Sequence, residues 1–270
     1  MDVFLQEYSA DQAIARYTSR TAGHGISYLL ENDYAEVYLS AIRDFLKTPP
    51  GKSLRLLEYG CGGGMNIITL LALLERKGRS VDLAIGTDFS EKLVLAANEE
   101  GKNLLTEAQR EKLYFAVARN ETIAADLRRA LNDSAGELEN SFHVILGVNT
   151  FRYCHRLGKE LECARDLTAL LAPGGISIMI DMNRRFPAFR SNFRDRKAIP
   201  EAERYLPSLE EYAAPFKEAG LEVLRKENFC WIPHSAGVQL TRFCHLLTPA
   251  LNLVAKPMAM RSLVVSRKRV

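Results

Sequence analysis

Three glycines at alternate positions, Gly60, Gly62 and Gly64, lie between an apolar run ending in Glu58-Tyr59 and a stretch of helical apolar spacing from Met65. Glycine admits positive φ and lets a bound molecule lie close against the backbone. The start of the following helix offers unpaired N–H groups and positive potential. A turn of this kind holds either a dinucleotide or an adenosyl compound without phosphate. The order Gly60-Cys61-Gly62-Gly63-Gly64 departs from the G-x-G-x-x-G of dinucleotide loops. Glu58 weighs further, because a carboxylate two residues before the loop would meet a pyrophosphate with like charge in a partly dry site. It would favour a ligand carrying an ammonium and a sulfonium. The Tyr-x-x-x-Lys pair of short-chain dehydrogenases is missing, since none of the ten tyrosines has a lysine four residues later.

The elements that would position this turn alternate along the chain. Strand-like apolar runs lie at 54–59, 81–86, 113–118, 142–147 and 176–181, with two more at 221–226 and 262–267. Helical spacing separates them at 65–76, 90–101, 121–132 and 160–171, the last ending at "APGG". Alternating β and α units with apolar strands predict a parallel sheet covered on both faces. Its ligands would sit beyond the carboxyl ends of the strands, where the glycine turn lies. The first 47 residues read as helical, with Ile26, Leu29, Leu30, Tyr34, Val37, Tyr38, Ile42 and Leu46 spaced by threes and fours, and "TPPGK" (48–52) ends that run.

Bulk properties exclude several classes. A chain of 270 residues, 47% hydrophobic, buries a sizeable core in one large domain or one domain with an appendage. A net charge of +3 from 36 basic and 33 acidic residues sets up no field that demands a polyanion. Five cysteines without a C-x-x-C suit a reduced, cytoplasmic protein. The acidic N-terminus, MDVFLQEYSADQ, has neither the basic nor the apolar region of a signal peptide. The longest apolar run, Ile67 to Leu74, falls well short of the roughly 20 residues that span a bilayer.

"LLEYGCGGG" resembles motif I, E-x-G-x-G-x-G, of the class I S-adenosylmethionine (SAM)-dependent methyltransferases. Four segments follow in the family's order: "AIGTDFSEKLVLAA", "FHVILGVNTFRY", "LLAPGGISIMID" and "LPSLEEYAAPFKEAGLEVL". The resemblance covers about 51 to 226 and implies a doubly wound α/β fold with a mostly parallel seven-stranded sheet. It also implies a helical cap over 1–50, a SAM-binding domain over 51–270, and S-adenosylhomocysteine (SAH) as product. The residues it assigns to the cofactor are Tyr17 of the cap, the loop residues Glu58, Gly60, Cys61, Gly62 and Gly64, and Asp88 for the ribose hydroxyls. Phe89 follows Asp88, and Gly147 and Asn149 stand at the end of the fourth strand beside the methionine part. The family's acid after the third strand is absent from "FAVARNETIAADL"; Asn120 would replace it, its amide oxygen accepting from the adenine amine. The fourth motif also departs, with Phe142-His143 for Phe-Asp and Arg152-Tyr153 for His-His.

Methyl transfer is an in-line displacement that alignment alone accelerates strongly. An oxygen acceptor usually needs a base, whereas an amine needs only to lose its proton. The catalytic candidates are His155, Tyr153 and Asp181, with His24 in the glycine-flanked "TAGHG" read as part of a closing loop; Arg152 and Tyr17 stand near them. His234 and His245 would join if their segment folds back. Two lid segments are expected, about 184–206 and 229–260. The first contains "RRFPAFRSNFRDRKAIP", with six basic residues and one acid, which hints at an anionic acceptor. The second holds an apolar helix expected to break near Pro249 and to form a wall of the pocket. These features predict O- or N-methylation of a small molecule, as in secondary or surface-glycan metabolism. Nucleic acid, a membrane span and a metal are not expected, and a homodimer stays open. Three rivals remain: cyclisation or lysis of SAM releasing methylthioadenosine, nucleic-acid methylation, and a non-catalytic binding subunit.

Overall fold

The computed structural model describes residues 24–44, 53–131, 138–187 and 206–270. Tyr17 and most of the first lid segment lie outside the described residues. Seven strands form one sheet: β1 (Leu54–Tyr59), β2 (Val81–Asp88), β3 (Leu113–Val117), β4 (Phe142–Val148), β5 (Leu171–Met182), β6 (Glu222–Phe229) and β7 (Arg261–Arg267). Their order is β3-β2-β1-β4-β5-β7-β6, and β7 alone runs antiparallel to its neighbours β5 and β6. The switch between β1 and β4, where the order reverses, leaves a crevice at the carboxyl edge. The glycine turn opens into it.

Strand alternation divides the apolar residues between two faces. On one, Leu54 and Leu56 of β1 pack with Ile67, Ile68 and Leu71 of α3 (Met65–Arg76). Two N-terminal helices, α1 (His24–Glu31) and α2 (Asp33–Ala41), join that cluster through Leu29, Leu30, Tyr34 and Tyr38. On the other face, Leu57 and Tyr59 meet side chains of the helices after β3, β4 and β5, including Ile123, Leu167 and Phe216. Each such side chain, fully buried, contributes about 1.5–3 kcal/mol relative to exposure. Within the described part of the helical stretch read from the sequence, these two short helices form, and His24 opens α1 as an exposed residue instead of lying in a loop.

The remaining helices are α4 (Glu91–Leu104), α5 (Glu107–Arg110), α6 (Ile123–Ala130), α7 (Arg152–Arg156), α8 (Glu160–Leu170), α9 (Leu209–Glu218) and α10 (Val238–Ala255). The start of α9 is legible in "PSLEE": the Ser208 hydroxyl accepts from the Glu211 N–H, and the Glu211 carboxylate accepts from the Ser208 N–H. The break expected in α10 does not occur. Pro249 lies inside a continuous 18-residue helix. A proline removes one helical hydrogen bond, which a surface helix tolerates because solvent can take the freed carbonyl. Leu246, Leu253 and Val254 of α10 are exposed, so this helix is not a wall of the pocket. No helix of the described residues is long and apolar enough to cross a membrane.

Candidate active site

The turn after β1 has the backbone its glycines imply, with φ of 62° at Gly60, 53° at Gly62 and 75° at Gly64. A side chain at Gly60 would put its Cβ 1.9 Å from the Thr150 hydroxyl, so the loop lies directly against the segment after β4. Gly64 serves packing instead: its missing Cβ makes room for the Phe115 ring of β3, and the residue caps α3.

The turn forms one side of a cavity of about 630 Å³, within the roughly 300–1,000 Å³ typical of small-ligand sites. At one end lie Gly60, Cys61, Gly62, Asp88, Phe89 and Asn120. At the other lie Leu29, Leu30 and Tyr34 of the N-terminal helices, Met182 at the end of β5, His234, and Arg261 at the start of β7. Asn149, Thr150, Arg152 and Tyr153, from the end of β4 and the segment after it, also line the cavity. The roof is tied down at Gly25, whose N–H donates to the Ala236 carbonyl at 2.7 Å. A Cβ at Gly25 would stand 2.3 Å from the Pro233 carbonyl.

Asp88 is buried, and its two oxygens accept from the N–H groups of Gly62 (3.0 Å) and Ser90 (2.9 Å). Burial pushes its carboxyl up to about 6 despite those bonds. Each oxygen keeps lone-pair capacity toward the cavity. Asn120, also buried, donates through Nδ2 to the Thr150 hydroxyl at 2.7 Å, while its Oδ1 has no partner. A buried acceptor without a donor is costly, and a ligand amine would relieve it. The Phe89 and Tyr153 rings, 5.6 Å apart, stand beside these two polar residues. These groups therefore fit adenosine: two carboxylate oxygens to accept from vicinal hydroxyls, one amide oxygen to accept from an exocyclic amine, and aromatic faces for a base. Cys61 lines the cavity with its thiol held well above the usual range by burial, which leaves it protonated and inert.

Several expected residues lie elsewhere. The Glu58 carboxylate does not line the cavity; it accepts from the Asn66 amide at 3.0 Å and from the Ile67 N–H at 2.9 Å, at the start of α3. Residue alternation in β1 turns Glu58 toward α3, where burial raises its carboxyl to about 8. The like-charge argument against a pyrophosphate therefore loses its direct contact. Gly147 is shaped by packing, since the Tyr59 ring stands 2.3 Å from where its Cβ would be. His155 pairs with Glu160 on α8, and neither it nor His24 lines the cavity. Asp181 is fully buried and does not line the cavity; it lies 3.1 Å from Arg152 and acts at longer range on Arg261, both of which do. His245 bonds to the Tyr28 hydroxyl at an exposed position. Sequence reasoning missed Tyr34, Thr150 and Arg261 as wall residues. Arg261 carried one signal, a charge placed immediately before an apolar strand. Its place at the site depends on β7 running antiparallel beside β5, which brings Arg261 opposite Met182.

Among the described residues no cluster of His, Cys, Asp and Glu is arranged to hold a metal ion. A family model described as "Methyltransferase domain" matches residues 30–238. The citrinin polyketide synthases of Monascus ruber and Monascus purpureus are each 29% identical over 138 residues, which is 51% of this chain and 4% of theirs. The structure of the citrinin polyketide synthase CMeT domain superposes with a TM-score of 0.59 at 17% identity, covering 91% of this chain and 55% of that one. Magnesium protoporphyrin IX methyltransferase from Synechocystis PCC 6803, solved with bound SAH, gives 0.62 at 12% identity over 99% of this chain and 100% of its own. The family model spans most of the chain, and the sheet has the order seen in such enzymes. The protein belongs to the class I SAM-dependent methyltransferases.

Proposed function

We propose that the protein transfers a methyl group from SAM to a small-molecule acceptor bound at the Tyr34–Arg261 end of the cavity. The observation that carries this reading is the continuity of that cavity. The Asp88–Asn120 end and the apolar end under α1 share one space roofed by the chain's own helices and the 233–236 loop. When bound, SAM supplies an electrophilic methyl group on a sulfonium sulfur. Asp88 would hold the ribose hydroxyls and Asn120 Oδ1 the adenine amine. Ile26, Leu29, Leu30, Met182 and Met260 give the acceptor end apolar walls that exclude water. Fixing two reactants in such a space contributes up to about 7–11 kcal/mol of rate acceleration without a reacting side chain.

The cavity offers no evident free base among the described residues. His234 lines it, but its Nε2 accepts from Arg261 at 2.8 Å, and burial together with that guanidinium lowers the imidazole to about 3. Asp181 is turned away, and Asp88 is committed to the loop. The acceptor atom is therefore one that arrives nucleophilic or readily acidic: an amine, an acidic hydroxyl or an activated carbon. Similarity to the citrinin synthase, whose CMeT domain shares the fold, supports adding carbon to the oxygen and nitrogen acceptors expected from the sequence. The test is product analysis with methyl-labelled SAM and a metabolite extract. The proposal expects label in a small-molecule fraction, matched by SAH. Methylthioadenosine as the nucleoside product, or label in RNA or protein, would contradict it.

A further inference from the structure

Arg261 is 3% exposed, yet its guanidinium is held by neutral groups: Nη1 donates to Asn149 Oδ1 at 2.8 Å and Nη2 to His234 Nε2 at 2.8 Å. Its Nε is buried without a partner. Asn149 presents its oxygen from a left-handed backbone position, φ 57°, which asparagine tolerates better than most residues. The nearby buried carboxylate, Asp181, is in direct contact with Arg152 instead. Among the ion pairs of the described residues, Arg261 has none. Arg261 thus has no carboxylate of the described residues in contact, and Asp181 acts on its charge from beyond ion-pair distance. A guanidinium removed from water without a carboxylate in contact is costly, and this one lines the cavity beside apolar walls. Burial, and after it the same guanidinium, keeps the His234 imidazole neutral.

From this buried cation, which no carboxylate of the described residues touches, we infer that Arg261 is a specificity-determining residue that receives a carboxylate carried by the acceptor, so that the substrate class is a small organic acid with an apolar body. The inference rests on the acceptor lying at this end of the cavity, as proposed above. The planar fork suits a carboxylate, which a lysine would bind only as a point charge. Asn149 and His234 are positioning residues: each takes one guanidinium N–H and holds the fork in plane. The apolar residues around it would take the body of the acid.

Matched pairs test this in protein first shown to bind SAH and then saturated with it. Benzoate against benzamide, and 3-phenylpropionate against 3-phenylpropionamide, are compared by calorimetric titration. At least one acid should bind at least tenfold more tightly than its amide. Arg261→Gln should reduce that preference below twofold while changing SAH affinity less than threefold, and Arg261→Lys should keep part of it. Equal affinities within both pairs, or no binding by either acid, overturns the inference even where SAH binds normally. So does a tenfold loss of SAH affinity in Arg261→Gln with the acid preference intact, which would place the guanidinium on the cofactor's carboxylate. Should Arg261→Gln fail to fold, the wild-type pairs and Arg261→Lys still decide. Failure of wild-type protein to bind SAH at all would instead refute the function proposed above.

Discussion

Asp88→Asn should weaken cofactor binding while leaving the fold as stable as before, or more so. The side chain keeps its shape, and one oxygen can still accept from the Ser90 N–H two residues on. The other position becomes an NH₂ facing the Gly62 N–H, a donor against a donor at the turn where the ligand must lie. Hydrogen bonds to a charged acceptor contribute about 1.5–3 kcal/mol each. Losing the charged acceptor for one ribose hydroxyl therefore predicts roughly 10- to 150-fold weaker SAH binding. Stability moves the other way. Burial holds the Asp88 carboxyl at about 6, so keeping it ionised at neutral pH costs the folded state on the order of 3 kcal/mol. The substitution removes that cost and adds the donor clash at Gly62, so the two nearly offset. Calorimetric titration of SAH and urea unfolding of the ligand-free protein read the two effects separately. SAH affinity of the wild type should also fall as pH drops through about 6, and that dependence should vanish in Asp88→Asn. Affinity within twofold of wild type would refute the assignment of Asp88 to the ribose.

Asn120 Oδ1 predicts a preference for an amine at the adenine position: S-inosylhomocysteine, with a carbonyl there, should bind at least tenfold more weakly than SAH, and Asn120→Ala should narrow that gap. Gly25→Val should lower the thermal midpoint by several degrees, because its Cβ meets the Pro233 carbonyl, a backbone atom with little freedom to move; an unchanged midpoint would mean the roof is not docked as described. Glu58 has a folded pKa of about 8 against an ordinary 4.5. Its contribution to stability is full below about pH 4.5 and is lost as pH rises to about 8. The unfolding free energy of wild type minus that of Glu58→Gln should therefore fall between pH 5 and 8, and a flat difference would contradict the burial argument.

The strands and the glycine turn were legible because each rests on local pattern. Apolar runs marked the strands to within a few residues except at the start of β5, which begins at Leu171 and takes in the "APGG" read as a turn before 176; Gly60, Gly62 and Gly64 all adopt the positive φ that their type allows. Glu58 was read as facing the ligand because its distance from the loop was known and its facing was not. Whether a strand residue turns to the crevice or to the next helix depends on which face α3 covers, and its Ile67 N–H claims the carboxylate. The acceptor end was the least legible. Tyr34 reaches it through packing of the cap, and Arg261 through an antiparallel strand inserted between β5 and β6. Residues 227 and 112 positions apart in sequence, Tyr34 with Arg261 and Asn149 with Arg261, meet there only after the sheet has formed. The apolar surface of α10 was misread for a related reason: composition alone cannot say whether such a helix faces a pocket or solvent.

One titration decides whether the crevice beyond β1 is a site for a sulfur nucleoside. Purified protein is titrated with SAH, and the complex is then challenged with excess NAD⁺. Binding of one SAH per chain that NAD⁺ does not displace is the expected result. No binding of SAH, or its release by NAD⁺, would contradict the assignment of Asp88, Asn120 and the glycine turn to an adenosyl ligand.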